Sequence, residues 1–293
     1  MGTRLTRARP PGAAARSKQR HRRVEGGALP TFVTIGAQKC GTTALHSYLA
    51  RHPDVSMSRP KELDFFVAER NWDRGVDWYR SHFDPGVAAR GESSPNYTAH
   101  PYFAGVPERM AELIPDAKLI FMVRDPIDRI RSNWIHTYSN RAETRPMREA
   151  VLDPEGEYLA RSRYNIQLAR FLEHYPRERI LVLEQSELYG DRRATLERVF
   201  EFIGVRTNVW RQTFEEPRLE TAARRRKTLL GRYVSRRVSP RVWRRMRHRW
   251  PLSRPFEHPP MPDDLRAELA AILRDDIAEF REMTGRSFEG WSV

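Results

Sequence analysis

The sequence predicts a three-layer α/β sandwich, a central parallel sheet with helices on both faces, and three observations carry that prediction. Short continuous apolar runs at residues 31–35, 118–123 and 180–183 are of the kind buried on both sides of a parallel sheet. Segments of helical periodicity alternate with them, which implies right-handed crossovers. The first run leads directly into Gly36-Ala37-Gln38-Lys39-Cys40-Gly41-Thr42-Thr43-Ala44-Leu45. Two glycines around a lysine, followed by two hydroxyl residues that open a helix, make a strand, a tight loop and a helix. Such a loop can cradle a phosphate-type anion, because glycines let successive N–H groups converge and the helix adds its positive end. The competing reading is a Gly-rich turn that only packs.

Composition frames this core. The 293 residues with 39% hydrophobic content suffice for one α/β domain with extensions. A single cysteine, Cys40, excludes an intrachain disulfide framework. Its place in the anion loop leaves two readings, a small filler or a reactive thiolate. No apolar run approaches the roughly 20 residues that span a bilayer, and the basic N-terminus is not followed by the apolar core of a secretory signal. The expected location is therefore the cytoplasm, with peripheral contact at the inner membrane surface as an extension of that reading.

The net charge of +14 is uneven. Residues 1–28 carry eight basic side chains against Glu25, and residues 222–254 carry twelve arginines and Lys227 with no acid, which leaves the remaining chain net acidic. Residues 1–28 lack large apolar side chains and read as a disordered basic arm, either a solvated tail or a nucleic-acid or lipid contact. The folded domain is expected over residues 29–293.

In chain order, residues 42–50 should form the first helix, with Ala44, Leu45, Tyr48 and Leu49 inward, ended by His52-Pro53. Next, Ser58-Arg59-Pro60-Lys61-Glu62-Leu63-Asp64-Phe65-Phe66 sets a Lys-Glu pair against two aromatic rings. A carboxylate held beside such rings would have its pKa raised toward the range of a general base; the plain alternative is a charged surface loop anchored by Phe65 and Phe66. Trp78 and Tyr79 suit either core packing or a sugar-stacking wall. Residues 91–97, Gly-Glu-Ser-Ser-Pro-Asn-Tyr, form a strand running into a turn, and Pro107 opens a helix. The strand at 118–123 delivers Arg124 and, eight residues on, Ser132, at the carboxyl end of the sheet where ligands bind. Arg124 could instead pair with Asp125 or Asp128. Residues 163–174 read as an amphipathic helix with Ile166, Leu168, Ala169, Phe171 and Leu172 inward. A helix over 191–203 stops at Gly204, and a last one covers about 262–284.

Four pieces then line up: the loop at 36–45, Lys61-Glu62 with Phe65-Phe66, Glu92-Ser93-Ser94-Pro95-x-Tyr97, and Val123-Arg124-x-Pro126 with Arg129-x-x-Ser132. Their order and spacing resemble the sulfotransferases that use 3′-phosphoadenosine-5′-phosphosulfate (PAPS), with the look of the carbohydrate, heparan sulfate-type branch. The resemblance spans about residues 31–204 and implies a P-loop-like fold. It assigns Gln38, Lys39, Cys40, Gly41, Thr42 and Thr43 to the 5′-phosphosulfate, with Lys39 on the transferring group, and Arg124 and Ser132 to the 3′-phosphate. It makes Glu62 the catalytic base. One departure stands out: the family usually has a lysine after the glutamate of the third motif, and here the residue is Ser93.

The implied reaction is in-line sulfuryl transfer from PAPS to an acceptor hydroxyl, which needs positioning and cationic stabilisation more than covalent help. No metal is implied, and no cluster has metal-ligand spacing. The expected acceptor is a carbohydrate or glycoconjugate, with a glycolipid, lipid or secondary metabolite as the alternative. A P-loop nucleotide kinase would have a lysine where Thr42 stands. A nucleic-acid-binding protein would explain 222–254 but not the anion loop, so no nucleic-acid partner is expected. Residues 222–254 themselves read as a lid over the cofactor phosphates or as a segment lying on an anionic membrane.

Overall fold

A computed structural model describes residues 27–210, 212–215, 225–246, 251–255 and 259–293. The basic arm at 1–28 lies outside the described residues except for Gly27 and Ala28. Gly27 already belongs to the folded body, since Arg80 Nε donates to its carbonyl at 2.9 Å.

Five parallel strands form the sheet: β1 (Phe32–Gly36), β2 (Val55–Met57), β3 (Ala89–Ser93), β4 (Lys118–Val123) and β5 (Ile180–Glu184), in the order β2-β3-β1-β4-β5. β1 is the central strand because it is buried along its whole length and offers both edges to apolar neighbours. Its register sets Val33 beside Glu92 and beside Leu119. The chain builds one side of β1 with β2 and β3, then crosses to β4 and β5. The carboxyl ends of β3, β1 and β4 thus meet at a topological switch point, where such sheets bind ligands. Gly91 is required in β3: a Cβ there would stand 2.2 Å from the Phe32 ring on the neighbouring strand.

Helices cover the sheet, and several start or stop on a local signal. α1 (Thr42–Leu49) buries Ala44, Leu45, Tyr48 and Leu49 as expected. α2 (Gly75–Arg80) and α3 (Val106–Leu113) follow. α4 (Pro126–Ser139) has proline at its first position and Asp125 as cap, whose carboxylate accepts the Asp128 N–H at 2.8 Å. Two short helices, α5 (Met147–Val151) and α6 (Glu157–Ala160), precede α7 (Tyr164–Leu172). α7 turns Tyr164, Gln167, Leu168 and Phe171 inward; Ile166, expected inside, is 39% exposed because it falls between those positions. α8 (Gln185–Gly190) leads into α9 (Arg192–Ile203), capped by Asp191 and ended by left-handed Gly204.

Beyond α10 (Gln212–Glu215), the described part of the basic stretch holds antiparallel β6 (Arg225–Lys227) and β7 (Ser253–Pro255). Between them lie α11 (Leu229–Arg237) and α12 (Pro240–Met246). Pro240 breaks the run into two helices, as its chemistry requires. Among the described residues no helix is long and apolar enough to cross a membrane. α13 (Asp263–Thr284) buries Leu265, Leu269, Leu273, Ile277 and Phe280, a stripe at spacings of three and four. After it the chain returns to the sheet: Phe288 and Trp291 stack at 4.3 Å, and Trp291 Nε1 donates to Glu184 at 2.9 Å. Ser292 Oγ donates to Asp125 at 2.6 Å, so the C-terminal segment walls the exits of β4 and β5.

Candidate active site

The loop after β1 is pinned where Ala37 N–H donates to the Met122 carbonyl of β4 at 2.6 Å, and it closes where Cys40 N–H donates to the Ala37 carbonyl at 3.2 Å. Two of its residues take left-handed backbone, Lys39 at φ 73° and Gly41 at φ 93°. Glycine adopts that region freely, whereas Lys39 adopts it at a cost, a feature that clusters at ligand sites. Gly41 caps α1, so the first-turn N–H groups of Thr42 and Thr43 have no carbonyl one turn back to take. Gln38 and Lys39 are half-buried, Thr42 is buried and Thr43 exposed. Cys40 is a packing residue: its thiol is enclosed 3.6 Å from the Tyr164 hydroxyl, and burial pushes its pKa up.

Arg124 leaves β4 with its guanidinium 3.4 Å from Asp128, so the local ion pair is the contact present. Asp128 also holds Arg266 at 3.2 Å, and Arg124 keeps 26% of its side chain exposed. Ser132 stands half-buried on α4. The backbone of Arg124 is tied to the loop through Tyr164, whose hydroxyl donates to the Arg124 carbonyl at 2.9 Å and lies 3.6 Å from Cys40 Sγ. Arg129, named in the fourth motif without a role, also touches the loop. Fully buried, Arg129 donates to Ser162 Oγ at 2.5 Å, to the Tyr158 carbonyl at 2.6 Å and to the Gln38 carbonyl at 3.5 Å. These partners are all neutral, so a whole positive charge lies beneath the anion loop without a carboxylate among them. Burial pulls its pKa down.

The Lys-Glu pair meets the loop from the β2 side. Lys61 Nζ donates to Thr42 Oγ1 at 3.4 Å and to Glu62 Oε1 at 2.7 Å. His46, one turn after Thr42 on α1, adds a group that sequence reasoning missed; the spacing of four was the available signal. Its Nδ1 lies 3.1 Å from Ser93 Oγ. Burial, then the charges of Lys61 and Arg59, lower its pKa to about 4, so at neutral pH the ring is uncharged. Ser93, at the place of the family's lysine, is thus paired with a neutral ring.

The carboxylate enclosed by aromatic rings is not Glu62, whose side chain is 48% exposed, but Glu92. Phe65 and Phe66 are buried against Trp72, Tyr79 and Tyr97, with Phe65 stacked on Tyr79 at 4.3 Å. Tyr79 is fully buried and therefore core, not a sugar-stacking wall. Glu92 accepts from the hydroxyls of Tyr79 at 2.6 Å, Tyr97 at 2.8 Å and Ser94 at 2.7 Å. Burial pushes its pKa up to about 7 against those three hydrogen bonds. Among the described residues no group of three or more His, Cys, Asp or Glu side chains is arranged for a metal ion.

A glycine-bounded loop at the end of the central strand, a buried cation under it and a lysine–carboxylate pair beside it give this α/β protein a site suited to a phosphate- or sulfate-type anion. The chain belongs to the sulfotransferase domain family, whose model matches residues 29–268. It is 31% identical over 199 residues to the human bifunctional heparan sulfate N-deacetylase/N-sulfotransferase 2, a match covering 60% of this chain and 22% of that protein. The chain thus spans about a fifth of that relative's length. It is 27% identical over 280 residues to mouse heparan sulfate glucosamine 3-O-sulfotransferase 3B1, covering 90% of this chain and 65% of the relative. A sulfotransferase crystal structure from Alicyclobacillus acidocaldarius superposes with a TM-score of 0.68 at 27% identity, covering 91% of this chain and 100% of the other.

Proposed function

We propose that this protein transfers a sulfuryl group from PAPS to an acceptor hydroxyl on a carbohydrate or glycoconjugate, with Glu62 as general base. The observation that carries the reading is Lys61 Nζ, which joins Thr42 of the anion loop to Glu62 and so brings a carboxylate to the edge of the anion site. The residues fit the donor: left-handed Lys39, first-turn N–H groups on α1, and a buried Arg129 with neutral partners all favour an anion in the loop. Bound PAPS supplies an activated sulfuryl group and a phosphate leaving group. Lys39, Gly41, Thr42 and Thr43 hold the 5′ end, while Arg124 and Ser132 take the 3′-phosphate, Arg124 by sharing itself with Asp128. Glu62 accepts the acceptor hydroxyl proton, and Lys61 holds that carboxylate in place. Glucosamine acceptors are the first class to try, because the two relatives act on heparan sulfate by name.

The test is calorimetry followed by an acceptor screen with labelled PAPS. 3′-Phosphoadenosine 5′-phosphate (PAP) should bind far more tightly than 5′-AMP, and Arg124→Ala should remove most of the difference, about 1.5–3 kcal/mol for a charge-assisted contact. Equal affinity for the two nucleotides, or tighter binding of ATP than of PAP, would overturn the donor assignment. Label appearing only on lipid or phenolic acceptors would replace the carbohydrate reading.

A further inference from the structure

The third motif, Glu92-Ser93-Ser94-Pro95-x-Tyr97, carries no role in the reading above, yet its side chains form the most enclosed polar cluster beside the site. Glu92 lies near the end of β3 and Ser94 just past it, and the Ser94 hydroxyl turns back onto the Glu92 carboxylate at 2.7 Å. Pro95 then opens a tight helical turn, Pro95–Thr98, that folds Tyr97 back over them. Both carboxylate oxygens of Glu92 are filled by hydroxyl donors, Tyr79 and Tyr97 on one and Ser94 on the other.

Two of those hydroxyls also face the segment that bears Lys61 and Glu62. Ser94 Oγ accepts the Asp64 N–H at 3.1 Å, and the Tyr97 hydroxyl accepts the Phe65 N–H at 3.0 Å and the Phe66 N–H at 3.5 Å. One residue before Ser94, Ser93 N–H donates to the Lys61 carbonyl at 3.5 Å. Each hydroxyl has one proton to give, and an ionised carboxylate can only accept. Above its pKa of about 7 the ionised carboxylate therefore draws both protons toward itself and leaves both oxygens turned to the backbone N–H groups.

We infer that Glu92 is a positioning residue: acting through the hydroxyls of Ser94 and Tyr97, it fixes the backbone at Asp64 and Phe65 and so presents Lys61 and Glu62 to the anion loop. The inference rests on the reading of Glu62 as the base. Tyr79 supplies the internal control. Its hydroxyl makes the same kind of contact to the same carboxylate, but it bonds no backbone N–H of the segment at 61–66.

The experiment compares Tyr97→Phe, Ser94→Ala, Tyr79→Phe and Glu62→Gln in the full chain. PAP release from PAPS is followed with a glucosamine-containing oligosaccharide or water as acceptor, together with PAP affinity and amide exchange over residues 61–66. Tyr97→Phe and Ser94→Ala should lower turnover tenfold or more and speed exchange at 61–66, with PAP affinity within twofold of the parent. Tyr79→Phe should keep turnover within twofold. Glu92→Gln should follow Tyr97→Phe; if it does not fold, the comparison of Tyr97→Phe with Tyr79→Phe decides alone. Equal turnover in those two variants overturns the inference. Full turnover in Glu62→Gln refutes the base assignment instead, whereas an inactive Glu62→Gln beside a fully active Tyr97→Phe refutes only the positioning role.

Discussion

Replacing Glu92 by glutamine should change how stability depends on pH, and the size of the change follows from the site. The carboxyl is fully buried, and its pKa stands near 7 against an ordinary 4.5. At about 1.4 kcal/mol per pKa unit, ionising it inside the fold costs on the order of 3 kcal/mol relative to the unfolded chain. A carboxyl whose folded pKa is raised contributes stability that is fully present below its unfolded pKa and lost as pH rises through the folded one. Between about pH 4.5 and 7 the folded protein holds this proton and the unfolded chain does not, so stability falls as pH rises. His46 opposes this: its folded pKa of about 4 lies below the ordinary 6.5, so over much of the same window its contribution rises with pH. The parent protein alone would hide the effect. The difference between Glu92→Gln and the parent isolates it, because His46 titrates in both. That difference should move in favour of the variant by about 2–3 kcal/mol from pH 5 to pH 8, on top of a constant offset for one disturbed hydrogen bond. Urea denaturation at fixed ionic strength across that range measures it. A difference that stays flat from pH 5 to 8 would mean that the three hydroxyls outweigh burial and the reasoning is wrong.

Glu62→Gln should lower turnover by about 10²–10⁴-fold with PAP affinity nearly unchanged, and full activity would move the search to another base. Arg129→Met removes the guanidinium that donates to the Tyr158 and Gln38 carbonyls and to the Ser162 hydroxyl. It should cost about 3 kcal/mol or more in denaturation and weaken PAP binding; unchanged PAP affinity would separate the buried charge from the anion loop. Cys40 should react with a thiol reagent at pH 8 only as the protein unfolds, because its thiol is enclosed and its pKa raised; fast labelling of the native protein would contradict that packing. Gly91→Ala should cost about 1–3 kcal/mol, since its new Cβ would overlap the Phe32 ring, and a neutral result would show that β1 and β3 can separate there.

Where a feature depends on near neighbours in the chain, the amino-acid order was enough. β4 and β5 stand out as unbroken apolar runs because both their faces are covered, and the ends of α4 and α9 are written in Asp125, Pro126, Asp191 and Gly204. The anion loop is legible for the same reason, since glycine spacing and a following helix are local properties. β2, three residues long, carries too short a pattern to read, and Ile166 shows that helical spacing alone does not say which stripe faces inward. Desolvation could not be read locally at all. Glu62 is three residues from Phe65 in the chain and yet half exposed. Glu92, some thirty residues away, fills the aromatic pocket because β3 pairs beside β1 and sets it there. His46 and Ser93 meet across α1 and β3, and Arg129 reaches the Gln38 carbonyl across 91 residues of chain. A sequence by itself determines backbone preference and periodicity, which act over a few residues. Only the tertiary structure decides which charges lose their water and which hydroxyls they then command, because burial is set by every element packed around a group and not by the residues that flank it.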